Sequence, residues 1–282
     1  MIKKDKKILI IGLGLLGGSY AKGLSEAGYH VMGIARRQET IDYALKNQLI
    51  QEGSIQVETL TPKADIIIFG LYPETMIPWI EENQSLFKPG IIITDVSGVK
   101  CNIVDKVQGI LREDVEFISA HPMAGRETSG IEYANVEMFK NANYIITPTE
   151  KNTPEAIEFS HDLANTLHFH HISVLTCEEH DHMIAFLSQL THVIAVSLMN
   201  THDNAHLVEY TGDSFRDLTR IAKINETMWS ELFLLNKDIL LNEIDAFITS
   251  ITNFRDVLAN EDIDTMKQLF IQSTKRRKEF DK

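Results

Sequence analysis

The chain changes its hydrophobic rhythm once. Up to about residue 175, short apolar runs alternate with longer amphipathic stretches. The runs are KILIIG (7–12), HVMGIA (30–35), ADIIIFGL (64–71), GIIITDVS (90–97), VEFISAHP (115–122), NYIITP (143–148) and HHISVL (170–175). Several hold consecutive apolar residues without alternation, as strands buried on both faces do. Helix-like stretches such as GGSYAKGLSEAG and ETIDYALKNQ lie between them. This alternation predicts βαβ units around a mainly parallel sheet. After Thr176 the period becomes helical, with Ile184, Leu187, Leu190 and Ile194, then Leu232, Leu235 and Ile239, then Ile244, Phe247, Ile251, Phe254 and Leu258. Residues 178–280 contain no proline and a single glycine, Gly212. The expectation is an α/β domain over residues 1–175 followed by an all-helical domain over 176–282.

Gly12, Gly14 and Gly17 form G-x-G-x-x-G directly after the first predicted strand and at the start of a helix. Each glycine has a task in a dinucleotide-binding, Rossmann-like unit. The first allows a tight turn, the second lets backbone approach a pyrophosphate, and the third permits close helix–strand packing. The helix start, at Leu15, Leu16 and Gly17, supplies N–H donors and the positive end of the helix dipole. Pro73 opens the helix after the run ADIIIFGL, and its loop is expected near the same ligand. An acid about 20 residues beyond the glycines grips the adenosine ribose in NAD-type sites. Here that place holds Ala35, followed by Arg36 and Arg37. Without the carboxylate a 2′-phosphate is not repelled, and two guanidinium groups can bind it. NADP is therefore favoured, with NAD possible. The alternative is that strand-end arginines are simply solvated.

Composition narrows the partners. The chain has 282 residues and a net charge of -13, so general nucleic-acid binding is not expected. An anionic ligand must be held by a local cluster of cations. Two cysteines, Cys101 and Cys177, provide no disulfide framework and no metal motif, which suits a reducing cytoplasmic compartment. No stretch approaches the ~18 apolar residues of a membrane span, and the basic start reads as a lead-in to a strand rather than a signal segment.

Three further stretches follow strand ends, where open α/β sheets bind ligands. The first is the Pro73 loop. The second, TDVSGVK, offers Ser97 and Lys100. The third, AHPMAGRETSG, offers His121, Arg126, Glu127, Thr128 and Ser129. An imidazole at His121 can take a proton near neutral pH, and Ser97 could orient it or share a substrate hydroxyl. In the helical half, His180 and His182 fall on different helix faces and make no metal pair. No metal site is expected. Ser188 and His192 share a face, with Asp181 near it, as a buried network or as a wall of the site. Arg216 and Arg220 are candidates for gripping a carboxylate, with Trp229 close in sequence. Salt bridges to Asp213, Asp217 or Glu226 are the alternative for these arginines.

Taken together and in order, GLGLLGGS, DVSGVK, HPMAGRETSG, YIITPT, HDHMIAFLSQLTH and FRDLTRIAKINETMW resemble the prephenate and arogenate dehydrogenases of tyrosine synthesis. The resemblance spans nearly the whole chain. It implies a nucleotide-binding domain, a helical domain that intertwines in a homodimer, and oxidative decarboxylation of prephenate to 4-hydroxyphenylpyruvate with hydride transfer to NAD(P). It further implies that His121 accepts the proton of the ring hydroxyl and that Ser97 supports it. By the same resemblance, His192 and Arg220 position substrate carboxylates beside Trp229, and Ser188 and Glu127 line the substrate site. Retention of Glu127 and His192 favours prephenate over arogenate, while Ala35-Arg36-Arg37 is similar to NADP-type members, some of which use arogenate. Thr191 departs from the family, which has proline there. A regulatory domain appended in some relatives finds no room after the last helix, so tyrosine feedback is expected to act at the active site.

Two rivals remain at this stage. A β-hydroxyacid dehydrogenase would place a lysine on the first long helix of the second domain, and residues 178–200 contain none. A non-catalytic NADP sensor would keep the glycines and arginines but has no need of His121 with Ser97.

Overall fold

The computed structural model describes residues 2–125, 128–203 and 205–281. Its first elements are β1 (Lys7–Ile11), α1 (Leu15–Glu26), β2 (His30–Ile34), α2 (Gln38–Lys46), β3 (Glu52–Ser54) and α3 (Val57–Leu60). They continue with β4 (Ile66–Phe69), α4 (Pro73–Asn83), β5 (Ile91–Asp95), α5 (Cys101–Ile110) and β6 (Val115–Phe117). These strands form one six-stranded sheet in the order β3-β2-β1-β4-β5-β6, with every pair parallel. That is the strand order of the doubly wound dinucleotide fold. Ile8 pairs with Ile66 and Ile10 with Ile68 in the centre of the sheet. Alternate residues feed two separate cores, Ile8 and Ile10 on one face, Leu9 and Ile11 on the other. This is why the runs are apolar throughout rather than alternating. The edge strand β3, Glu-Gly-Ser, is too short and polar to have been expected.

The run 115–122 reads as one strand and forms two. It leaves the large sheet after Phe117 and resumes as β7 (Ser119–Pro122), which pairs antiparallel with β8 (Asn143–Thr147). β8 in turn pairs parallel with β9 (His171–Val174), giving a second, three-stranded sheet. Asp95, buried at the end of β5, causes the change of partner. Its Oδ1 accepts from Ser119 Oγ at 2.6 Å and from the Ala120 N–H at 3.2 Å. A side-chain carboxylate thus takes the backbone donor that a continuing ladder would have used. α6 (Pro154–Thr166) connects β8 to β9, with Thr153 as its N-cap and Pro154 in its first turn.

From Cys177 onward the described elements are helical. α7 (Cys177–Ile184) begins with a capping box in which Thr176 and Glu179 satisfy each other's backbone N–H. One wide helical turn at Ala185–Gln189 leads into α8 (Leu190–Met199). α9 (Asp213–Thr219) and α10 (Glu226–Leu235) follow. By compactness, Met1–Asn236 is one unit. The second unit, Lys237–Lys282, contains α11 (Lys237–Ala259) and α12 (Ile263–Arg277), which pack together as a pair. The change of residue pattern at 175/176 and the compactness division at 236/237 are thus different features.

One expectation needs correction. The continuous helical stretch Cys177–Met199 is long and apolar enough, by length and composition, to cross a membrane. Its apolar residues are interrupted by Ser188, Gln189, Thr191 and His192, so no uninterrupted run revealed it.

Candidate active site

The glycine loop lies where the strand order reverses, between the carboxyl ends of β1 and β4. Gly12 sits at φ +93°, and a Cβ there would fall 2.6 Å from Leu71 Cδ2. A Cβ on Gly17 would lie 2.0 Å from the Gly12 carbonyl oxygen. Gly14 is different: a Cβ would meet no atom within 4 Å. Gly14 is also the residue before α1, and no side chain caps that helix. Space therefore opens directly over an uncapped helix N-terminus that begins with Leu15, Leu16 and Gly17. This arrangement fits a pyrophosphate. Gly70, at the end of β4, was missed by sequence reasoning, yet a Cβ there would lie 2.6 Å from the same Gly12 oxygen.

At the end of β2, Ala35 is partly buried while Arg36 and Arg37 are exposed. Pro73 is buried and begins α4. The N–H of Glu74 donates to Glu231 Oε1 of α10, which ties this loop to the helical part of the same unit. Glu231 is only 6% exposed, and burial pushes its carboxyl above the ordinary value. Nothing local in the sequence marked it.

The ends of β5 and β7 meet around a buried ion pair. Lys100 Nζ lies 3.0 Å from Asp95 Oδ2 and donates to the Ala120 carbonyl at 2.7 Å. Burial lowers the Lys100 pKa, partly offset by Asp95. Lys100 is therefore structural: it holds the turn from β5 into α5 against β7. Asp95 also accepts the Ser97 N–H at 3.0 Å. Ser97 Oγ is buried and bonds to no group among the described residues. Its expected support of His121 is corrected here, because His121 Nδ1 bonds instead to His180 Nε2 at 2.9 Å. His180 Nδ1 lies 2.8 Å from Asp181 Oδ1. Asp181 in turn accepts the N–H of Lys100 and that of Cys101, each at 2.8 Å, at the start of α5.

Burial lowers the His121 pKa well below its ordinary value of 6.5, assisted by His180 and Lys100. Burial lowers that of His180 as well, with the Asp181 bond opposing the shift. For Asp181, burial raises the pKa, but bonds from His180, Cys101 and Lys100 bring it below the ordinary value. At neutral pH the chain thus holds two neutral imidazoles and one carboxylate. The other ring nitrogen, His121 Nε2, faces Gly98: a Cβ on Gly98 would be 3.9 Å from it and 3.3 Å from Leu232 Cδ1 of α10. A side chain at position 98 would sit between the imidazole and Leu232, in close contact with the leucine.

Leu232 continues the site toward α8. Gln189, buried in the wide turn, donates to the Leu232 carbonyl at 3.0 Å, and Asn236 bonds to Gln189 and to the Asp181 carbonyl. The His192 ring packs on Trp229 with centroids 3.7 Å apart. His192 Nδ1 donates to the Ser188 carbonyl at 2.8 Å, and Thr191 Oγ1 donates to the same oxygen at 2.7 Å. Ser188 thus acts on His192 through its backbone, and its side chain is partly buried. Arg220 opens the short turn Arg220–Ala222, which packs against α8, and is exposed. Arg216 realises the alternative reading, pairing with Asp213 at 3.4 Å. Glu127 and Arg126 lie outside the described residues.

Comparison with known proteins places this geometry in context. Residues 20–172 match a family model described as prephenate dehydrogenase, nucleotide-binding domain, and residues 176–272 match prephenate dehydrogenase, dimerization domain. The prephenate dehydrogenase of Bacillus subtilis is 32% identical over 271 residues, covering 93% of this chain and 73% of that protein. A crystal structure of the Aquifex aeolicus prephenate dehydrogenase with hydroxyphenyl propionate and NAD+ superposes with TM-score 0.91 at 25% identity, covering 99% of this chain and 100% of that one. The arogenate dehydrogenase of Synechocystis superposes with TM-score 0.83 at 26% identity, covering 97% and 99%.

Proposed function

This chain belongs to the prephenate dehydrogenase family, and from that premise we propose that His121, Ser97, His192, Arg220 and Trp229 form the site at which it works. The protein is an NAD(P)-dependent prephenate dehydrogenase of tyrosine biosynthesis. His121 Nε2 takes the proton of the ring hydroxyl, which pushes electron density toward the carbon that loses hydride. The buried, unpartnered Ser97 hydroxyl shares that substrate oxygen. A dinucleotide whose pyrophosphate is held at Gly12, Gly14 and Gly17 would supply a nicotinamide as the hydride acceptor. The ring carboxylate leaves as carbon dioxide, and its bonding pair completes the aromatic ring. His192, fixed by Ser188 and Trp229, and Arg220 on the turn beside α8 hold substrate carboxylate. They must do so without overstabilising the group that departs. Ser188 completes the substrate wall in this reading.

The single observation that carries the assignment is the half-buried imidazole of His121 at a strand end, with Nδ1 held by His180 and Nε2 beside Gly98. We favour NADP over NAD, because Ala35 removes the ribose-binding acid and the exposed Arg36 and Arg37 follow it. A homodimer through residues 176–282, taken as the second domain, suits the apolar side chains exposed on α11 and α12, including Ile248, Ile251 and Ile271. A reducing cytoplasm suits the free Cys101 and Cys177.

The test is reduced-nicotinamide absorbance with NADP and NAD, each against prephenate and arogenate. The expected result is the highest kcat/KM for NADP with prephenate, by roughly tenfold or more over either exchange. Preference for arogenate would reassign the substrate, and absence of turnover in all four combinations would leave a sensor.

A further inference from the structure

The bond from His121 to His180 has a direction that the geometry determines. Asp181 sits on two N–H donors at the start of α5, which hold its carboxylate ionised. A carboxylate only accepts, so His180 Nδ1 carries a hydrogen toward Asp181 Oδ1. A neutral imidazole has one N–H, so His180 Nε2 presents a lone pair. His121 Nδ1 must then donate to it, and the lone pair of His121 is left on Nε2, the nitrogen that faces Gly98. Each tautomer in the line is thus dictated by the one behind it, and the origin of the order is a helix N-terminus.

We propose that His180 and Asp181 are positioning residues that set His121 as a base at Nε2 and take up the positive charge when it is protonated. The inference rests on His121 being the base, as proposed above. The atoms balance simply. The hydroxyl proton arrives at His121 Nε2, and the Nδ1 proton moves or leans toward His180 Nε2. The resulting imidazolium then lies directly against Asp181. No proton leaves the hydrogen-bonded line during the step, and its far end, His180 with Asp181, is buried. Other charged or titratable groups also face the line. The Lys100–Asp95 pair lies beside both histidines, and the thiols of Cys101 and Cys177 lie beside Asp181. Lys100 is already neutralised by Asp95 at 3.0 Å, which leaves Asp181 as the group able to compensate a proton gained by the imidazoles.

The consequence can be read from variants that keep or break the direction. In H180Q a glutamine carbonyl can accept from His121 while its NH2 donates to Asp181, so the order survives. In H180L it is lost, and in D181N its origin is lost. H180L is expected to lower kcat by about 100-fold with substrate KM and cofactor affinity within about threefold, because a base in the wrong tautomer binds but does not react. H180Q is expected within about tenfold of the parent. The acidic limb of kcat/KM reports protonation of free His121. That limb should keep its position in H180Q and move to lower pH in H180L and D181N, where no carboxylate stabilises the protonated form. A purely structural His180 would lower melting temperature without moving the limb. H121N is the reference. If it abolishes turnover while H180L keeps the parent kcat and limb, the relay is wrong and the base stands. If H121N turns over normally, the site assignment itself fails and the relay falls with it. Should H180L not fold, H180Q and D181N decide: limbs of both coincident with the parent would overturn the proposal, and a shift confined to D181N supports it.

Discussion

At the end of β2, Ala35 stands where NAD-type sites carry an acid, and two exposed arginines follow it. Arg36 and Arg37 are exposed, and neither enters an ion pair among the described residues, so their charge is available to a ligand. Replacing both by alanine should raise the KM for NADP by about ten- to a hundredfold, the value of one or two charge-assisted bonds. The KM for NAD should change by less than about threefold, and equal losses for the two cofactors would return these arginines to ordinary solvated surface. The place of Arg36 and Arg37 was legible because it depends only on position after a strand. The strand-end place of His121 was legible for the same reason. His180 was not. It was dismissed as half of a metal pair, and its partner lies 59 positions away. Ser97 was read as orienting His121 or sharing a substrate hydroxyl, because it too ends a strand. The distance from His180 to His121 could only come from packing α7 against the end of β7.

Among the elements, the β1–α1 unit separates folding from binding within a single motif. Gly17 has no room for a Cβ, whereas Gly14 has room and no protein neighbour. Gly17→Ala should therefore destabilise the fold by roughly 1–3 kcal/mol or more, because the Gly12 carbonyl must move. Gly14→Ala should leave the melting temperature nearly unchanged while cofactor affinity falls at least tenfold, since the methyl occupies the place meant for a pyrophosphate. Thermal unfolding and fluorescence titration of the two variants would check this; an equal loss of stability in both would remove the distinction. The strands of the large sheet were readable from continuous apolar runs, since burial on both faces leaves no other pattern. The division of 115–122 into β6 and β7 was not, because an apolar run does not record that Asp95 takes the donors of Ser119 and Ala120. The wide turn at Ala185–Gln189 was equally hidden, and it places Gln189 inward to hold α10 through Leu232.

The whole molecule leaves apolar surface unexplained by one copy of the chain. In Lys237–Lys282, Leu240 and Val257 are the buried hydrophobic residues among those described, while Leu241, Ile248, Ile251, Phe254, Leu258, Ile263, Phe270 and Ile271 are exposed. A pair of helices with so little buried surface does not support itself. Covering these faces with a second copy agrees with the dimerization-domain match over residues 176–272. Ile251→Glu should shift the protein from dimer toward monomer in sedimentation velocity and lower its melting temperature, and an unchanged sedimentation coefficient would place the interface elsewhere. Hydrophobic period and the spacing of glycines were enough to determine that this chain builds a dinucleotide-binding sheet and a helical second half, because both are local requirements written every few residues. Which nitrogen of His121 meets His180, what Asp95 and Lys100 hold together, and how α10 reaches the Pro73 loop were decided by three-dimensional packing alone. Hydrogen bonds between distant residues depend on where buried groups come to rest, and no local period encodes that.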